Sequence, residues 1–291
     1  MINYEPLITV AMPVYNAGKY LRLAVLSIVN QSYSNWELLI IDDGSSDDSF
    51  LSIADINDSR MTIYRDGVNR GLAARLNEAI DLAKGDYFAR MDGDDISYPD
   101  RFLKQVTELQ KNLNLDLVAT RAITINENNL ATGLFPYAIS HSEICARPWN
   151  GFYLPHPTWM GKTEWFRKYH YSFPAPYCCE DQELLLRSYQ NSHFETLNET
   201  LLAYRVRYKL NIPKLIQTRF AVFKIQFNHF TQLKLWRFLF LASITFISKI
   251  IYDFIKLISN SEPQRNNISD TDILVQWNKI LNTLLLTDKI S

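Results

Sequence analysis

A mostly parallel α/β sheet is the fold class this sequence predicts, and two observations carry the prediction. Over the first 130 or so residues, short apolar runs of strand length alternate with segments whose apolar residues recur at helical spacing. Three of the runs also end on polar or acidic residues, Pro13-Val14-Tyr15-Asn16, Asp42-Asp43-Gly44-Ser45 and Asp92-Gly93-Asp94-Asp95. Strands separated by helices imply right-handed βαβ crossovers and a parallel sheet. Ligands of such sheets bind outside the carboxyl ends of the strands, where the strand order reverses, so these three segments define one candidate ligand edge.

The strands are expected at Ile8 to Val14, Trp36 to Ile41, Met61 to Arg65 and Tyr87 to Met91. Helices are expected at 17–31, 47–56 and 70–84, the last with Leu72, Leu76, Ala79, Ile80 and Ala83 on one face and Gly85 as its stop. A fourth begins near Pro99 and runs to about Asn112. Residues 116–204 are less regular, with Trp149, Tyr153, His156, Trp159 and Trp165 in a loop-rich stretch before a helix from Glu180 to Gln190. Residues 213–258 read as helices, 261–269 as a polar linker, and 271–286 as a last short helix. The division that follows is 1–208 as the catalytic domain, with 1–115 and 116–208 as its two halves, and 209–291 as a helical extension.

Composition bounds the function classes. With 291 residues, 47% apolar and 13% aromatic, the chain fills a sizeable core and is not a disordered one. The net charge of -1 hides a split. Residues 1–204 carry 17 basic against 26 acidic side chains, whereas residues 205–257 carry ten basic side chains and one acid, Asp253. Two regions facing different partners are expected. Three cysteines, Cys145 and the adjacent Cys178 and Cys179, lack metal-ligand spacing and fit a reducing cytoplasm. The start of the chain does not read as a signal peptide, and no unbroken apolar run of about 18 residues is present, so a spanning helix is not expected.

Asp92, Asp94 and Asp95 place three carboxylates within four residues, where they repel one another. An aspartate at a strand end is often only a turn former, but a set this dense is relieved most simply by a divalent cation with a taste for oxygen ligands. An EF-hand loop fails on spacing, because Ser97 stands where its glycine belongs and Leu103 where its glutamate belongs. Neither G-x-G-x-x-G nor a P-loop lysine motif occurs. Nucleotide phosphates would therefore be neutralised by a metal held at Asp92-x-Asp94.

The series Val10-Ala-Met-Pro-Val-Tyr-Asn16, Ile40-Ile-Asp-Asp-Gly-Ser-Ser46, Met91-Asp-Gly-Asp-Asp95 and Glu180-Asp181 before Leu184-Leu-Leu-Arg187 resembles the family 2 glycosyltransferases over about residues 6–208. The resemblance implies the Rossmann-like GT-A fold and an inverting hexosyl or N-acetylhexosaminyl transfer from a nucleotide-diphosphate sugar, most readily a UDP-sugar. It implies donor contacts at Pro13, Tyr15, Asp42, Asp43, Asp92, Gly93, Asp94 and Arg205. Tyr15 would lie against the base, Asp43 beside Asp42 would accept from the uracil N–H, and Asp94, with Asp92, would hold Mn2+ or Mg2+ on the diphosphate. Gly93 would let the backbone approach that diphosphate, and Asp95 would either support the metal site or cap the next helix. Asp181 corresponds to the general base, with Glu180 orienting it or touching the acceptor; on its own an acid there would suit a helix start. His156 is a structural residue or a metal or phosphate contact. Arg205 matches a family Tyr-Arg pair, although Arg207-Tyr-Lys follows where relatives carry histidine. Arg75, Asn77, Arg101 and Gln105 fit the pattern as structural or donor-side positions.

From Leu233 to Ile258 the residues Lys234, Arg237, Thr245, Ser248, Lys249, Asp253 and Lys256 fall within roughly 160° of arc at 100° per residue, and nearly all others are apolar. This is the pattern of a helix lying in a membrane plane, and its charge suits an anionic surface. A helix packed on the catalytic domain or a homodimer contact is the plainer reading. No nucleic-acid module accompanies the basic charge, so nucleic acid is not an expected partner. The expected setting is the cytoplasmic side of the membrane, as a peripheral enzyme of surface polysaccharide such as O-antigen or capsule, with a glycan or polyprenyl-diphosphate-linked acceptor. The competing readings are a sugar-nucleotide pyrophosphorylase, whose glycine-rich loop Pro13-Val-Tyr-Asn-Ala-Gly18 does not match, and a non-catalytic nucleotide-sugar-binding membrane adaptor.

Overall fold

The computed structural model describes residues 4–206, 212–258, 268 and 270–288. In chain order the catalytic part runs β1 (Ile8–Val14), α1 (Tyr20–Val29), β2 (Trp36–Asp42), β3 (Met61–Arg65), α2 (Leu72–Leu82), β4 (Tyr87–Arg90), β5 (Ile96–Ser97), α3 (Arg101–Lys111), β6 (Leu117–Ile125) and β7 (Ala131–Leu134). It continues with α4 (His141–Ile144), β8 (Met160–Lys162), α5 (Thr163–Lys168), α6 (Glu180–Ser188) and β9 (Phe194–Arg205). Three further helices follow, α7 (Ile212–Gln232), α8 (Trp236–Ile258) and α9 (Thr271–Asp288).

One sheet organises the catalytic part, in the order β3-β2-β1-β4-β8-β6-β9-β5, with β7 on β6. The first four strands are parallel, as the alternating pattern requires, and their carboxyl ends lie side by side. From β4 onward the sheet is mixed: β8 is antiparallel to both neighbours, while β6 and β9 are parallel. The parallel strands read as unbroken apolar runs because both faces are covered. Val10, Met12 and Val14 of β1 meet Leu21, Val25 and Ile28 of α1 on one face, and Ala11 lies with Leu39, Ile41 and the α2 residues Leu76, Ala79 and Ile80 on the other.

Four expectations change. The helix at 47–56 is a short 3-10 turn, Ser49–Ile53; Asp47 and Ser49 there accept hydrogen bonds from the Gly18 amide, which ties that segment to the end of β1 instead of extending a helix. The less regular stretch 116–204 contains the long strands β6 and β9, which run side by side through the middle of the second half. The absence of a spanning-length apolar helix also does not hold: Trp236–Ile255 has a mean hydropathy of 1.8 and by length and composition could cross a membrane. Scattered charges break it into short runs, which a search for unbroken apolar sequence misses.

The fourth change concerns which way α8 faces. Lys249 and Asp253, expected on a solvent-facing polar side, turn into the protein: Arg219 of α7 donates to Asp253 (Nε to Oδ2, 2.9 Å) and Lys249 donates to the Asn150 carbonyl (2.8 Å). Trp236, Phe240, Ile244, Ile247, Ile251, Phe254 and Ile255 are exposed instead, Trp236 at 61% and Phe240 at 65%, along a stripe about 100° wide. By contrast α9 returns to the catalytic part and buries Ile273, Trp277 and Leu284 against it. The linker expected at 261–269 and Arg207 lie outside the described residues, apart from Ile268.

Candidate active site

At the end of β1 the Val14 carbonyl accepts from the Asp43 amide at 2.7 Å, which lays the β1 and β2 ends together. Pro13 is buried in that seam, and Tyr15 beyond it is 56% exposed with its ring open to a ligand. Asp42 and Asp43 are buried and hydrogen-bonded within the protein. Asp42 accepts from the Ser45 amide (2.8 Å) and from Arg65 Nε (2.9 Å). Asp43 Oδ1 accepts from the Arg70 amide (2.7 Å) and Arg75 Nε (3.0 Å), and its Oδ2 from the Gly71 amide (3.0 Å). Arg75, fully buried, also binds Asp66 and Glu78, so it organises the loop from β3 to α2. Asn77 likewise works structurally, holding the Tyr171 backbone at both ends of its amide. Arg101 and Gln105 brace the carbonyls of Arg90, Val118 and Thr158.

Strand β4 delivers the next set. Its backbone is held by Met91 N–H on the Ala11 carbonyl (3.0 Å) and Arg90 N–H on the Trp159 carbonyl (2.8 Å). The turn Asp92-Gly93-Asp94-Asp95 follows at once. At Gly93 a Cβ would stand 3.1 Å from Val14 Cγ2, so any other residue would make the Val14 side chain give by a few tenths of an ångström. Asp92 and Asp94 are half-buried, and Asp95 is completely buried.

Asp95 neither caps α3 nor turns to solvent. Its Oδ1 accepts from the Arg205 amide at 2.7 Å, and its Oδ2 is buried with no hydrogen-bond partner among the described residues. Burial, with Asp92 and Asp94 adding to it, pushes its carboxyl well above the ordinary range. Arg205, expected at the donor phosphates, is committed elsewhere. Its Nε donates to the Asp94 carbonyl, its Nη1 to the Asn126 carbonyl and its Nη2 to Asn129 Oδ1, each at 2.7 Å. The residue is buried and does not line the neighbouring cavity.

A cavity of about 890 Å³ opens beside the turn, and its wall carries Asp92, Arg90, His156, Glu180, Asp181 and Gln182. Two groups separated by roughly ninety residues of sequence thus face one space. Arg90 was not singled out in the sequence, although a lone cation inside the apolar run Tyr87 to Met91 is the signal that could have found it. Its Nη2 pairs with Asp92 Oδ1 at 2.7 Å. Burial opposes its charge, but Asp92, Tyr171 and Glu180 outweigh that and hold its pKa above the ordinary value.

On the opposite wall Glu180 and Asp181 open helix α6. Burial first, then the Asp181 charge, pushes Glu180 up to about 6, and burial raises Asp181 as well. Gln182, also unforeseen, donates from Nε2 to Asp181 Oδ2 (3.2 Å) while its Oε1 accepts from the Phe152 amide (2.8 Å), which fixes the carboxylate. His156 sits with this pair and not with the turn: Nδ1 is 3.9 Å from Glu180 Oε1, and Nε2 is 2.8 Å from the Tyr171 hydroxyl. Burial, aided by Arg90, lowers its pKa well below the ordinary value, so the ring is neutral. Among the described residues, the candidate ligand atoms of His156, Glu180 and Asp181 lie within 4.8 Å of one another. The carboxylate oxygens of Asp92 and Asp94 are a donor set that suits Mg2+ or Mn2+.

The family profile described as Glycosyl transferase family 2 matches residues 9–170. The O-antigen biosynthesis glycosyltransferase WbnJ of Escherichia coli is 33% identical over 212 residues, 70% of this chain and 81% of the relative. The UDP-Glc:alpha-D-GlcNAc-diphosphoundecaprenol beta-1,3-glucosyltransferase WfgD of Escherichia coli is 31% identical over 140 residues, covering 47% and 54%. Among solved structures, S. aureus TarS 1-349 in complex with UDP aligns with a TM-score of 0.59 over 76% of this chain and 65% of that one, at 17% identity, which supports the GT-A fold alone. With its parallel strand ends, its two acidic groups on one cavity and these relatives, the chain belongs to glycosyl transferase family 2 and is a glycosyltransferase.

Proposed function

We propose that this protein transfers a hexose or N-acetylhexosamine from a nucleoside-diphosphate donor, a UDP-sugar, to a hydroxyl of a glycan or polyprenyl-diphosphate-linked acceptor, with inversion at the anomeric carbon, in surface polysaccharide synthesis. The observation that carries the reading is the placement of Asp92 and the Glu180-Asp181 pair on one cavity at the carboxyl ends of parallel strands. The names of WbnJ and WfgD support the pathway and acceptor class, and the UDP in the TarS structure supports the donor.

Each residue has a role consistent with its surroundings. Tyr15 offers an aromatic face to the base. Among the described residues Asp43 Oδ2 takes the Gly71 amide alone, so acceptor capacity remains for a base N–H. Asp94, with Asp92, would hold the divalent cation, which when bound supplies Lewis-acid stabilisation of the departing diphosphate. Asp181 takes the proton from the acceptor hydroxyl as its oxygen attacks the anomeric carbon. Its raised pKa brings it closer to the pH at which it must accept that proton. Gln182 holds its orientation, and Glu180 sits within reach of the acceptor side. His156, neutral, is bonded to Tyr171, and its ring fills the space beside Glu180 with Nδ1 3.9 Å from Oε1.

The same reading places the enzyme at the inner face of the cytoplasmic membrane. The exposed stripe of α8 and the exposed Ile216, Phe220 and Phe227 of α7 are the support. The exposed residues Lys224, Lys234 and Arg237 of this region are basic, which favours anionic lipid and opposes apposition of two identical copies. A thermal-shift panel of UDP-, GDP- and dTDP-sugars, with and without Mn2+, tests the donor and metal together. A rise in melting temperature with the UDP-sugar that needs Mn2+ is expected; equal shifts for all three donors, or shifts without metal, would refute the assignment.

A further inference from the structure

The last helix reaches the metal-binding turn through three residues that the catalytic roles above do not use. Trp277 of α9 is buried, stacks on Tyr98 with ring centroids 6.2 Å apart, and donates from Nε1 to the Asn129 carbonyl at 3.0 Å. Asn129 lies in the turn between β6 and β7 with φ of 61°, a left-handed conformation that asparagine tolerates. Its side-chain Oδ1 accepts from Arg205 Nη2 at 2.7 Å. Arg205 then holds the Asp94 carbonyl through Nε and the Asp95 carboxylate through its own amide, again at 2.7 Å each.

The connection is stiff at each step. Arg205 is buried, its guanidinium lies 4.1 Å from the Tyr20 ring centroid, and its Nη1 also binds the Asn126 carbonyl. Tyr98 follows β5 directly, and β5 pairs with β9 just before Arg205, through Ile96 with Ala203 and Ser97 with Leu202. The far end of α9 is anchored separately, where Asp288 pairs with Arg22 of α1 and Arg22 pairs with Asp55. Both sides of the acidic turn's exit therefore rest on the α9 platform: the ring stack under Tyr98 on one side, the Asn129 to Arg205 bridge on the other.

The geometry points to α9 as a positioning element of the donor site, in which Trp277, Asn129 and Arg205 set the place of Asp94 and hence the affinity for a divalent cation with a nucleoside diphosphate. This rests on the reading of Asp94 as the cation-holding residue. It assigns to the C-terminal helix a part in catalysis that is distinct from any membrane contact of α8.

Two conservative variants test it without emptying the core. Asn129→Gly keeps a residue at ease with positive φ and keeps the carbonyl for Trp277, removing only the acceptor of Arg205 Nη2. Trp277→Phe keeps the aromatic stack and removes the N–H. Hydrogen exchange on the full chain reads the turn itself: amides 92–97 are expected to exchange about tenfold faster in either variant, the scale of one lost buried hydrogen bond, while β1 and β2 keep their protection. Titration with UDP, with and without Mn2+, should show a loss of about tenfold in the Mn2+-dependent affinity, with metal-free UDP binding unchanged. Unchanged exchange at 92–97, or equal losses with and without metal, overturns the inference. If wild-type protein shows no Mn2+-dependent UDP binding, the function reading fails, and the exchange result alone then decides whether α9 positions the turn.

Discussion

The two acidic groups that share the cavity are held in opposite ways. Asp92 has a cation at its side, the Nη2 of Arg90 at 2.7 Å, and its neighbour Asp94 is pinned through its backbone by Arg205. Glu180 and Asp181 have no ion pair with an arginine or lysine among the described residues, and burial pushes both upward, Glu180 to about 6. On the proposed reading, one wall presents negative oxygen to a cation and diphosphate, and the other accepts a proton. A glycosyl transfer in which a charged diphosphate departs on one side and a neutral hydroxyl gives up its proton on the other is served by this division.

The largest expected effect breaks the proton-accepting wall. Asp181→Asn should lower the transfer rate by about 10² to 10⁴-fold, the usual contribution of a positioned base, measured by product formation under saturating donor; a rate within a few-fold of wild type would remove Asp181 from that role. The pH dependence sharpens the same contrast. Because burial raises both carboxyls of the pair, the acid limb of the rate profile should lie above the ordinary carboxylate range, and Glu180→Gln should move it to lower pH by deleting the neighbouring charge. A limb that stays in place in the variant would show that Glu180 does not bear on Asp181.

A smaller effect falls on stability. The folded pKa of Glu180 is raised from 4.5 to about 6, so the native state holds its proton more tightly than the unfolded chain. The stabilising contribution is present below about pH 4.5 and is lost as pH rises through 6, leaving a cost of up to about 2 kcal/mol at neutral pH. Glu180→Gln should therefore be more stable than wild type at pH 7.5, with the gap closing as pH approaches 4.5. Chemical denaturation at the two pH values checks it, and a constant gap would contradict it. The smallest effect concerns the periphery: Ile244→Ser with Ile247→Ser and Ile251→Ser should leave folding intact, since all three side chains are exposed, and should reduce flotation with anionic vesicles. Unchanged flotation would detach α8 from the membrane.

The candidate site was legible in the sequence to the extent that it lies at strand ends. The apolar runs before Asp42 and Asp92 fix the strands, and the parallel crossovers bring their ends together whatever the intervening loops do. Glu180 and Asp181 could be placed by family likeness but not by pattern, because they open α6 at the end of a loop-rich stretch that has no periodicity to follow; the neighbouring strands β6 and β9 also hide their pattern, with polar Thr120, Thr124, Thr196 and Thr200 buried in the sheet. Arg205 shows a different limit: its type suggests phosphate, and its hydrogen bonds to Asp94, Asn126 and Asn129 reveal a role in holding the turn. For α8 the periodicity separated an apolar arc from a polar one, although Lys234 stands in the turn before the helix with φ of 56°, and nothing in one helix says which arc its neighbours will cover. Asp253 and Lys249 went inward because Arg219 and the Asn150 carbonyl were there to meet them.

The division of labour between the walls is tested most directly by titrating the UDP-sugar donor, with Mn2+ present, into Asp94→Asn and Asp181→Asn side by side in a calorimeter. The account predicts a crossed pattern, in which Asp94→Asn loses Mn2+-dependent donor binding while Asp181→Asn binds donor as wild type does and fails only in transfer. Equal loss of binding in both variants, or retention in Asp94→Asn, would contradict it.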